Sequence, residues 1–328
     1  MKNLRAQFVL FALVLVFCVN SSAQSQATAG AVESASSPQE VIIDTDIGDD
    51  IDDAFALAVA LKSPELKILG VTTTFGNTEM RARLLDRYLR AVDRSDIPVF
   101  AGPMTKTDNL MTQAAYAKRA PEKKFGDGAA FILHAAREHP GEITLIGIGP
   151  LFTVHAAIER DPAAFKKLKR VVIMGGSVTR GYGLDAQGKP KPPEPEWNIL
   201  NDPAGLKELL ASGVPVFMMP LDSTQVPLDA KDRETIFAHG SPLTDQLTLL
   251  YHEWMGGTPN HSPTPTLFDP VAVTYTFRPD LCPAKPLHID VDDKGMTTVG
   301  NGAPNAQVCL ESDERGFLAL LQKRVAEQ

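Results

Sequence analysis

Short apolar runs alternate with helix-like stretches along most of this chain, and this alternation constrains the fold more than any other feature. The apolar runs are residues 41–43, 66–73, 98–101, 143–147, 170–174 and 215–220. The helix-like stretches are residues 53–62, 78–92, 129–138, 152–159, 203–212 and 245–255. Strands and helices that alternate at this spacing are typical of βαβ units and a parallel sheet. The sequence therefore predicts a single α/β domain with a mostly parallel central sheet flanked by helices.

The first residues have the pattern of a secretory signal peptide. Lys2 and Arg5 precede an uninterrupted apolar run over residues 8–19, and small residues follow up to Ala23. The run is shorter than the roughly 20 residues that span a bilayer, and its flanks are those of a cleavable signal. We expect residues 1–23 to be the signal peptide, 24–40 a flexible leader and 41–328 the folded domain. This predicts export to the periplasm or the medium, without a membrane anchor after cleavage.

Charge and cysteine content limit the partners and the compartment. The formal net charge is −8, and it becomes more negative when the basic signal residues are removed. An acidic surface argues against a nucleic-acid backbone as partner. Cys282 and Cys309 are the cysteines that remain after cleavage. In an oxidising compartment they could pair, and the sequence leaves open whether they lie within reach of each other.

An unusually acidic segment follows the first apolar run. Its six carboxylates lie within ten residues, without Lys or Arg: Asp44, Asp46, Asp49, Asp50, Asp52 and Asp53. One or two acids could cap the following helix. Six would repel one another and raise their own pKa values unless a cation neutralised them. Ligands of open α/β sheets bind at the carboxyl ends of the strands, so we expect a cation site at this edge of the sheet.

The residue types around this segment indicate which cation it binds. All candidate ligands are oxygens, which favours calcium or magnesium over zinc or copper. An EF-hand loop starting at Asp44 fails, because its sixth position would be Asp49 and not Gly, and its twelfth Phe55 and not Glu. A phosphatase that uses Asp44 and Asp46 would leave the further acid pairs unexplained. The ligands are therefore expected to come from several loops.

Several motifs in order along the chain resemble those of the inosine–uridine-preferring nucleoside hydrolase family. The first is the acidic segment, which resembles Asp-x-Asp-Pro-Gly-x-Asp-Asp-Ala with Asp49 and Asp50 inserted. The others are Gly76-Asn77, residues 97–102, Gly149-Pro150-Leu151, Met174-Gly175-Gly176, Glu196-Trp197-Asn198 and Asp269-Pro270-x-Ala272. The resemblance covers residues 41–325 and implies a nucleoside hydrolase-like fold with an open, Rossmann-like core.

The resemblance also implies an activity and a site. It implies hydrolysis of the N-glycosidic bond of ribonucleosides to free base and ribose, in nucleoside salvage, through an oxocarbenium-like state. Calcium would be held by Asp46, Asp53, Asp269 and the backbone carbonyl of Phe152. Asp46 would also take a proton from the calcium-bound water. The ribose would be bound by Asp52, Asn77, Met174, Glu196 and Asn198. The family commonly forms dimers or tetramers.

The leaving-group side of the site departs from the family pattern. Phe268 precedes Asp269, where the family often has a His that can protonate the departing base. Tyr182, His252, Trp254 and His261 are the alternatives for contacts with the base, although a histidine in such a position is more often solvated or structural and Trp254 could equally belong to the core. A second hypothesis follows from this departure: a nucleoside-binding or ribose-binding protein of the same fold that has lost turnover.

The inserted acids leave a question of register. Either Asp52-Asp53 or Asp49-Asp50 could fill the Asp-Asp part of the family motif, and in the second case the metal ligand would be Asp50. The helix-like spacing after Ala54 favours Asp52-Asp53. Elsewhere, Asp202 is expected to cap the helix that begins at Pro203, and residues 291–299 to form a hairpin without a chemical role.

Overall fold

The computed structural model describes residues 37–257 and 262–327, so the predicted signal peptide and His261 lie outside it. The strands are β1 Gln39–Thr45, β2 Leu66–Thr73, β3 Val99–Ala101, β4 Gly126–Asp127, β5 Thr144–Gly147, β6 Arg170–Met174, β7 Val216–Met219, β8 Ala284–Leu287, β9 Ile289–Val291, β10 Thr297–Val299 and β11 Ala306–Cys309. The helices are α1 Asp52–Leu61, α2 Thr78–Ala91, α3 Ala114–Lys118, α4 Gly128–Glu138, α5 Phe152–Arg160, α6 Pro162–Phe165, α7 Trp197–Asn201, α8 Pro203–Ala211, α9 Leu221–Thr224, α10 Ala230–Phe237, α11 Pro242–Gly257, α12 Asp269–Tyr275 and α13 Glu314–Ala326.

Nine of these strands form one sheet in the order β4-β3-β2-β1-β5-β6-β7-β11-β8. The pairs from β4 to β11 are parallel, and β8 joins the edge antiparallel to β11. The predicted α/β class and mostly parallel sheet are confirmed. The order in which strands are added to the sheet reverses between β1 and β5. Strands β2, β3 and β4 lie on one side of β1, and β5, β6 and β7 lie on the other. Such a switch point opens a crevice at the carboxyl ends of the strands.

The central strands are buried on both faces, as their apolar sequences predict. Residues 41–45 of β1 and all of β5 are buried. Two apolar clusters cover the sheet, one built around α1, α11, α12 and α13 and the other around α4, α5 and α8. Strand β1 begins at Gln39, inside the stretch predicted as the end of the leader. No helix within the described residues is long and apolar enough to cross a bilayer.

Local capping signals set several helix starts. The Asp202 side chain accepts the Gly205 N–H and Pro203 opens α8, as predicted. Strands β9 and β10 form the predicted antiparallel hairpin. Strand β8 is not predictable from the sequence, because Pro286 lies within it and a proline is tolerated in a strand only at an edge.

Cys282 and Cys309 form a disulfide with a Cα–Cα distance of 5.6 Å. It links the turn after the 3₁₀ helix Pro279–Leu281 to the end of β11. The bond closes a loop with a sequence separation of 27 residues. Both cysteines are buried, at 1% and 0% exposure, so the bond fixes the outer part of the sheet from within the core.

The disulfide is expected to stabilise the fold by restricting the unfolded chain. A loop of this length corresponds to about 3 to 4 kcal/mol in the chain-entropy treatment, or a loss of Tm of roughly 5 to 12 °C in a domain of this size. Calorimetry with and without reductant measures it, and the C282A/C309A variant is the control whose Tm should not respond to reductant. An unchanged Tm of the native protein after complete reduction would contradict the expectation.

Candidate active site

The carboxyl ends of β1, β5 and β6 surround a cavity of about 130 Å³. Seven of its lining residues carry carboxylates, and three are aromatic. The lining residues are Asp46, Asp49, Asp50, Asp52, Asp53, Ile148, Met174, Tyr182, Glu196, Trp197, Asn198, Phe268 and Asp269. Nine residues are predicted for the site, and seven of them line the cavity. The two that do not are Asn77 and Phe152.

Asp46 directly follows the last residue of β1 and lines the cavity. Its backbone carbonyl accepts a hydrogen bond from the buried guanidinium of Arg81. Gly149 packs against it so closely that a Cβ at that position would lie 2.7 Å from Asp46 Oδ1. Only glycine therefore leaves room for this carboxylate at the end of β5.

Two helix N-termini supply the other acids. Asp52 and Asp53 form the first turn of α1, and Asp269 is the first residue of α12. Asp52 Oδ2 accepts the backbone N–H groups of Phe268 and Asp269, both at 3.2 Å, and thereby ties the two helices together. Asp53 Oδ1 accepts a hydrogen bond from the Thr45 hydroxyl. The positive ends of both helices offset part of the charge that these carboxylates bring together.

The carboxylates of Asp52, Asp53 and Asp269 are placed as metal ligands would be. Each offers an oxygen, and the three oxygens lie within 4.8 Å of one another in a buried position. Asp46 borders the same cavity. The grouping supports the Asp52-Asp53 register, and an all-oxygen donor set fits a hard divalent cation. A second group, Glu40, His139 and Glu142, is partly exposed at the surface.

The charge of this group is not balanced by the protein. Burial raises the pKa of Asp46 to about 7, although Arg81 counteracts the effect. The pKa values of Asp52, Asp53 and Asp269 are raised well above the usual range by burial and by their mutual repulsion. A bound cation would reverse these shifts, because it favours the charged carboxylates. The arrangement is therefore costly without an ion and favourable with one.

Glu196 and Asn198 lie across the cavity on α7. Glu196 caps this helix and accepts the N–H groups of Asn198 (2.9 Å), Ile199 (3.2 Å) and, from the loop after β6, Gly176 (2.9 Å). Burial raises its pKa to about 7. The Asn198 amide donates to the carbonyl of Met174 at 3.1 Å, which leaves its oxygen for a ligand. The predicted trio of Met174, Glu196 and Asn198 is thus brought together at one wall.

Tyr182, Trp197 and Phe268 form the aromatic wall of the cavity. The ring of Tyr182 meets that of Phe268 edge-on, with centroids 5.9 Å apart. Its hydroxyl accepts the Trp197 N–H at 2.9 Å and donates to Glu196 at 3.4 Å. Trp197 packs edge-on against Phe75, whose backbone has a φ of 62°. The contacts of Phe75 are not predictable from the sequence, because they depend on an unusual backbone conformation.

The structure does not bring Asn77 to the cavity. Its side chain is exposed and accepts the Met80 N–H at 3.0 Å, so it caps α2. Phe152 is the first residue of α5, and its ring stacks on that of Phe75; coordination by its carbonyl stays a prediction. The exposed His252 packs edge-on against Tyr251 and is absent from the residues that line the cavity.

The inserted acid Asp49 has a structural partner. Arg81, 2% exposed, donates to Asp49 Oδ2 at 2.8 Å and to the backbone carbonyls of Phe75 and Ile47 at 2.8 and 3.1 Å. Asn109 donates to the same Asp49 oxygen at 2.6 Å. The insertion therefore attaches the acidic segment to α2 and to the loop that follows β3. This contact between Arg81 and the acidic segment is not predictable from the sequence, because α2 is polar and an arginine on such a helix is normally expected to be exposed to solvent.

Replacing Arg81 with methionine is expected to destabilise the fold by about 3 kcal/mol, because it leaves the half-buried Asp49 without its ion partner and removes the donor to three buried backbone carbonyls. Urea unfolding measures the change. Arg90→Met on the same helix is the matched control, since Arg90 pairs with Asp86 at the surface, and exposed pairs contribute little. The R81M/D49N double variant should recover part of the loss. Equal effects of R81M and R90M would contradict this role.

A second cavity of about 400 Å³ adjoins the first and shares Asp49, Asp50 and Trp197 with it. Its other lining residues come from the loop after β3 and the end of α11, and include Leu110 and Trp254. Trp254 is 5% exposed and packs against Tyr251, so it belongs to the core as well as to this wall. The two cavities together offer room beyond the carboxylates for the rest of a ligand.

Comparisons with known proteins agree with this geometry. Residues 41–319 match the family described as inosine-uridine preferring nucleoside hydrolase. A pyrimidine-specific ribonucleoside hydrolase, RihA, from Salmonella enteritidis is 30% identical over 320 residues, which cover 87% of this chain and 97% of the relative. An uncharacterized protein of Schizosaccharomyces pombe is 30% identical over 290 residues, which cover 80% of this chain and 87% of that protein.

Solved structures have the same fold. A plant nucleoside hydrolase, the PpNRh1 enzyme, superposes with a TM-score of 0.76 at 25% identity, covering 89% of this chain and 100% of the other. A purine-preferring ribonucleoside hydrolase from Gardnerella vaginalis also gives a TM-score of 0.76, at 23% identity, over 88% of this chain and 98% of that one.

Proposed function

The chain belongs to the inosine-uridine preferring nucleoside hydrolase family and is a ribonucleoside hydrolase, and we propose that it works outside the cytoplasm with one calcium ion. Membership favours the hydrolase over the alternative of a nucleoside-binding protein without turnover. The observation that carries the proposal is the convergence of Asp46, Asp53 and Asp269 on one cavity opposite Glu196 and Asn198.

In the proposed site, Asp46, Asp53 and Asp269 would hold the calcium ion together with the Phe152 carbonyl. The close approach of the Asp53 and Asp269 oxygens and the position of Asp46 at the same cavity support this assignment, and oxygen donors suit calcium. Asp52 lies in the same group, but its Oδ2 accepts the N–H groups of Phe268 and Asp269. When bound, calcium lowers the pKa of a coordinated water and orients it. The side chain at position 152 need not resemble a ligand, because the proposed donor is a backbone oxygen.

Asp46 is the proposed general base. Its carboxylate borders the cavity, and Arg81 and Gly149 fix its backbone and side chain from behind. It would accept one proton from the water that adds to C1′ of the ribose. Positioned proton transfer of this kind contributes roughly 10²- to 10⁴-fold to a rate.

The ribose would lie between two polar walls. Asp52 on one side and Glu196 and Asn198 on the other would accept and donate hydrogen bonds to its hydroxyls, with Met174 packed against the ring. As the C1′–N bond breaks, the sugar acquires oxocarbenium character. Buried, preorganised carboxylates stabilise that positive charge. Asn77 has no part in this arrangement, because its side chain caps α2.

Export to the periplasm or the medium is supported by two features. The first 23 residues have the pattern of a signal peptide, and Cys282 and Cys309 are paired, as expected in an oxidising compartment. Fractionation of cells expressing the full chain tests the location. A dimer or tetramer is the proposed assembly, and sedimentation of the mature protein tests it.

Chelation is expected to stop hydrolysis, because the carboxylate group loses the ion that neutralises it. The assay measures ribose released from inosine and from uridine by residues 24–328, before and after treatment with EGTA. Calcium should restore the rate, and addition of sodium chloride at matched ionic strength is the control. Full activity after exhaustive chelation would contradict the calcium proposal, whereas inactivity with all nucleosides at saturating calcium would contradict the function itself.

A further inference from the structure

The aromatic wall lines the same cavity as the residues proposed to hold the ribose. In the proposed function, the sugar is held by the carboxylates on α1 and α12 and by the polar residues on α7. The base attached to C1′ must then lie against Tyr182, Trp197 and Phe268, which line the same cavity. Contacts hold all three rings, since Tyr182 meets Phe268 edge-on and the Trp197 ring packs edge-on against Phe75.

This wall is poorly suited to donate a proton. Among the described residues, those that line the cavity include no Lys, Arg or His. The Tyr182 hydroxyl is directed at Glu196, and burial together with that carboxylate raises the pKa of Tyr182 above its usual range. Phe268 immediately precedes the predicted metal ligand Asp269 and has no exchangeable proton.

The same wall is well suited to bind a cation. Rings that surround a positive charge stabilise it through their quadrupoles, and this is how aromatic cages select quaternary ammonium groups. Seven carboxylates line the same cavity, and the negative charge that one calcium ion leaves uncompensated also favours a cation. The site thus favours binding of a cationic base. A neutral base would still need an acid to protonate it as it departs.

The chemistry of departure differs between the two kinds of base. When the C1′–N bond of a neutral nucleoside breaks, the electron pair leaves an anionic base that must be protonated. When the base is already cationic, as in a pyridinium riboside or an N7-alkylated purine riboside, the same electron pair leaves a neutral base. Water adds to C1′, and its proton goes to Asp46 and then to solvent. The products are ribose, neutral base and one proton, so no leaving-group acid is needed.

We propose that the preferred substrates are ribosides whose base carries a permanent positive charge, selected by the aromatic wall of Tyr182, Trp197 and Phe268. The inference rests on the proposed function and assigns the substrate class of that site.

The test compares guanosine with N7-methylguanosine at pH 6 and saturating calcium. The two share the ribose and the ring system, and differ in one methyl group and one charge. The uncatalysed hydrolysis rate of each is measured in the same buffer, because the methylated nucleoside is intrinsically more labile. For the enzyme, the ratio is kcat/KM with N7-methylguanosine divided by kcat/KM with guanosine. We expect this ratio to exceed the corresponding ratio of uncatalysed rates by about 100-fold or more. A missing general acid slows the neutral substrate by roughly 10²- to 10⁴-fold, and the expected value is the lower end of that range.

Three variants separate the causes. Phe268→His adds an ionisable group and should reduce the ratio by raising the rate with guanosine. Phe268→Leu removes the ring without adding an acid and should reduce the ratio by lowering kcat/KM for N7-methylguanosine, about 3- to 30-fold for one lost cation–π contact. Tyr182→Phe keeps the ring but removes the hydroxyl, and should keep the ratio high.

The outcomes are distinguishable from failure of the proposed function. Hydrolysis of guanosine, inosine or uridine with a ratio no greater than the uncatalysed one would overturn the cation preference and leave the hydrolase intact. A selective loss of guanosine hydrolysis in Tyr182→Phe would overturn it too, because the hydroxyl would then be the acid. No release of ribose from any nucleoside would contradict the proposed function itself.

Discussion

Replacing Asp46 with asparagine is expected to lower kcat for ribonucleoside hydrolysis by about 10³-fold at saturating calcium. The amide keeps the size of the side chain but cannot accept a proton from the attacking water, and loss of a positioned base costs roughly 10²- to 10⁴-fold. The measurement is steady-state release of ribose from the best substrate, with calcium varied until the rate no longer rises.

Asp50→Asn is the matched control for this variant. Asp50 borders the same cavity but is exposed and has no role in the proposed chemistry, so we expect its kcat to fall by no more than a few-fold. If D46N retained a tenth or more of the native kcat, Asp46 would not be the base. If D50N lost as much of the native kcat as D46N, the Asp-Asp part of the family motif would have to be assigned to Asp49-Asp50 instead of Asp52-Asp53.

The second large effect concerns calcium affinity. Asp53→Asn is expected to weaken calcium binding by about 100-fold or more, since it removes a charged ligand, and even indirect supporting residues cost 10- to 100-fold. Calorimetric titration of metal-free protein measures the dissociation constant. The same substitution should raise the Tm of the calcium-free protein, because it relieves repulsion among buried carboxylates.

Asp50→Asn again provides the comparison. In the Asp52-Asp53 register, Asp50 is not a ligand and its variant should bind calcium within a few-fold of the native protein. A larger loss at Asp50 than at Asp53 would show that the inserted pair supplies the metal ligand. A lower Tm of calcium-free D53N would instead indicate that Asp53 serves mainly as a structural hydrogen-bond acceptor for Thr45.

Sequence patterns located much of the cavity because its residues follow strands or begin helices. Asp46 directly follows β1, and Asp269 opens α12. An apolar run identifies a buried strand, and in a parallel sheet every strand ends at the same edge. This rule places Asp46 at that edge, whereas the resemblance to the family is what assigns Asp269, Glu196 and Asn198 to the same site.

Asn77 is placed away from the cavity lining, where a local hydrogen bond engages its side chain. Asn77 lies in the expected motif, yet its side-chain oxygen accepts the N–H of Met80 and so caps α2. Short polar side chains are efficient helix caps, and the sequence does not distinguish that use from ligand binding. Arg81 was missed for the opposite reason: its spacing on a polar helix predicts exposure, while four hydrogen-bond acceptors from the acidic segment and its neighbours bury it.

The aromatic wall was only partly predictable. Phe268 stands out because it precedes Asp269, and Tyr182 because it lies in the loop before Glu196. The contact between their rings depends on how a long irregular loop folds back, with the Tyr182 N–H bonded to Glu194 and the Gly183 N–H to Gln225. Such long-range side-chain contacts leave no periodic signal in a sequence.

The most direct test of the account is a crystal structure of the mature protein with calcium and ribose. We predict one calcium ion coordinated by Asp46, Asp53 and Asp269, with the ribose hydroxyls bonded to Asp52, Glu196 and Asn198. An ion bound instead at the surface group of Glu40, His139 and Glu142, or a ribose bound away from the carboxylate cavity, would contradict it.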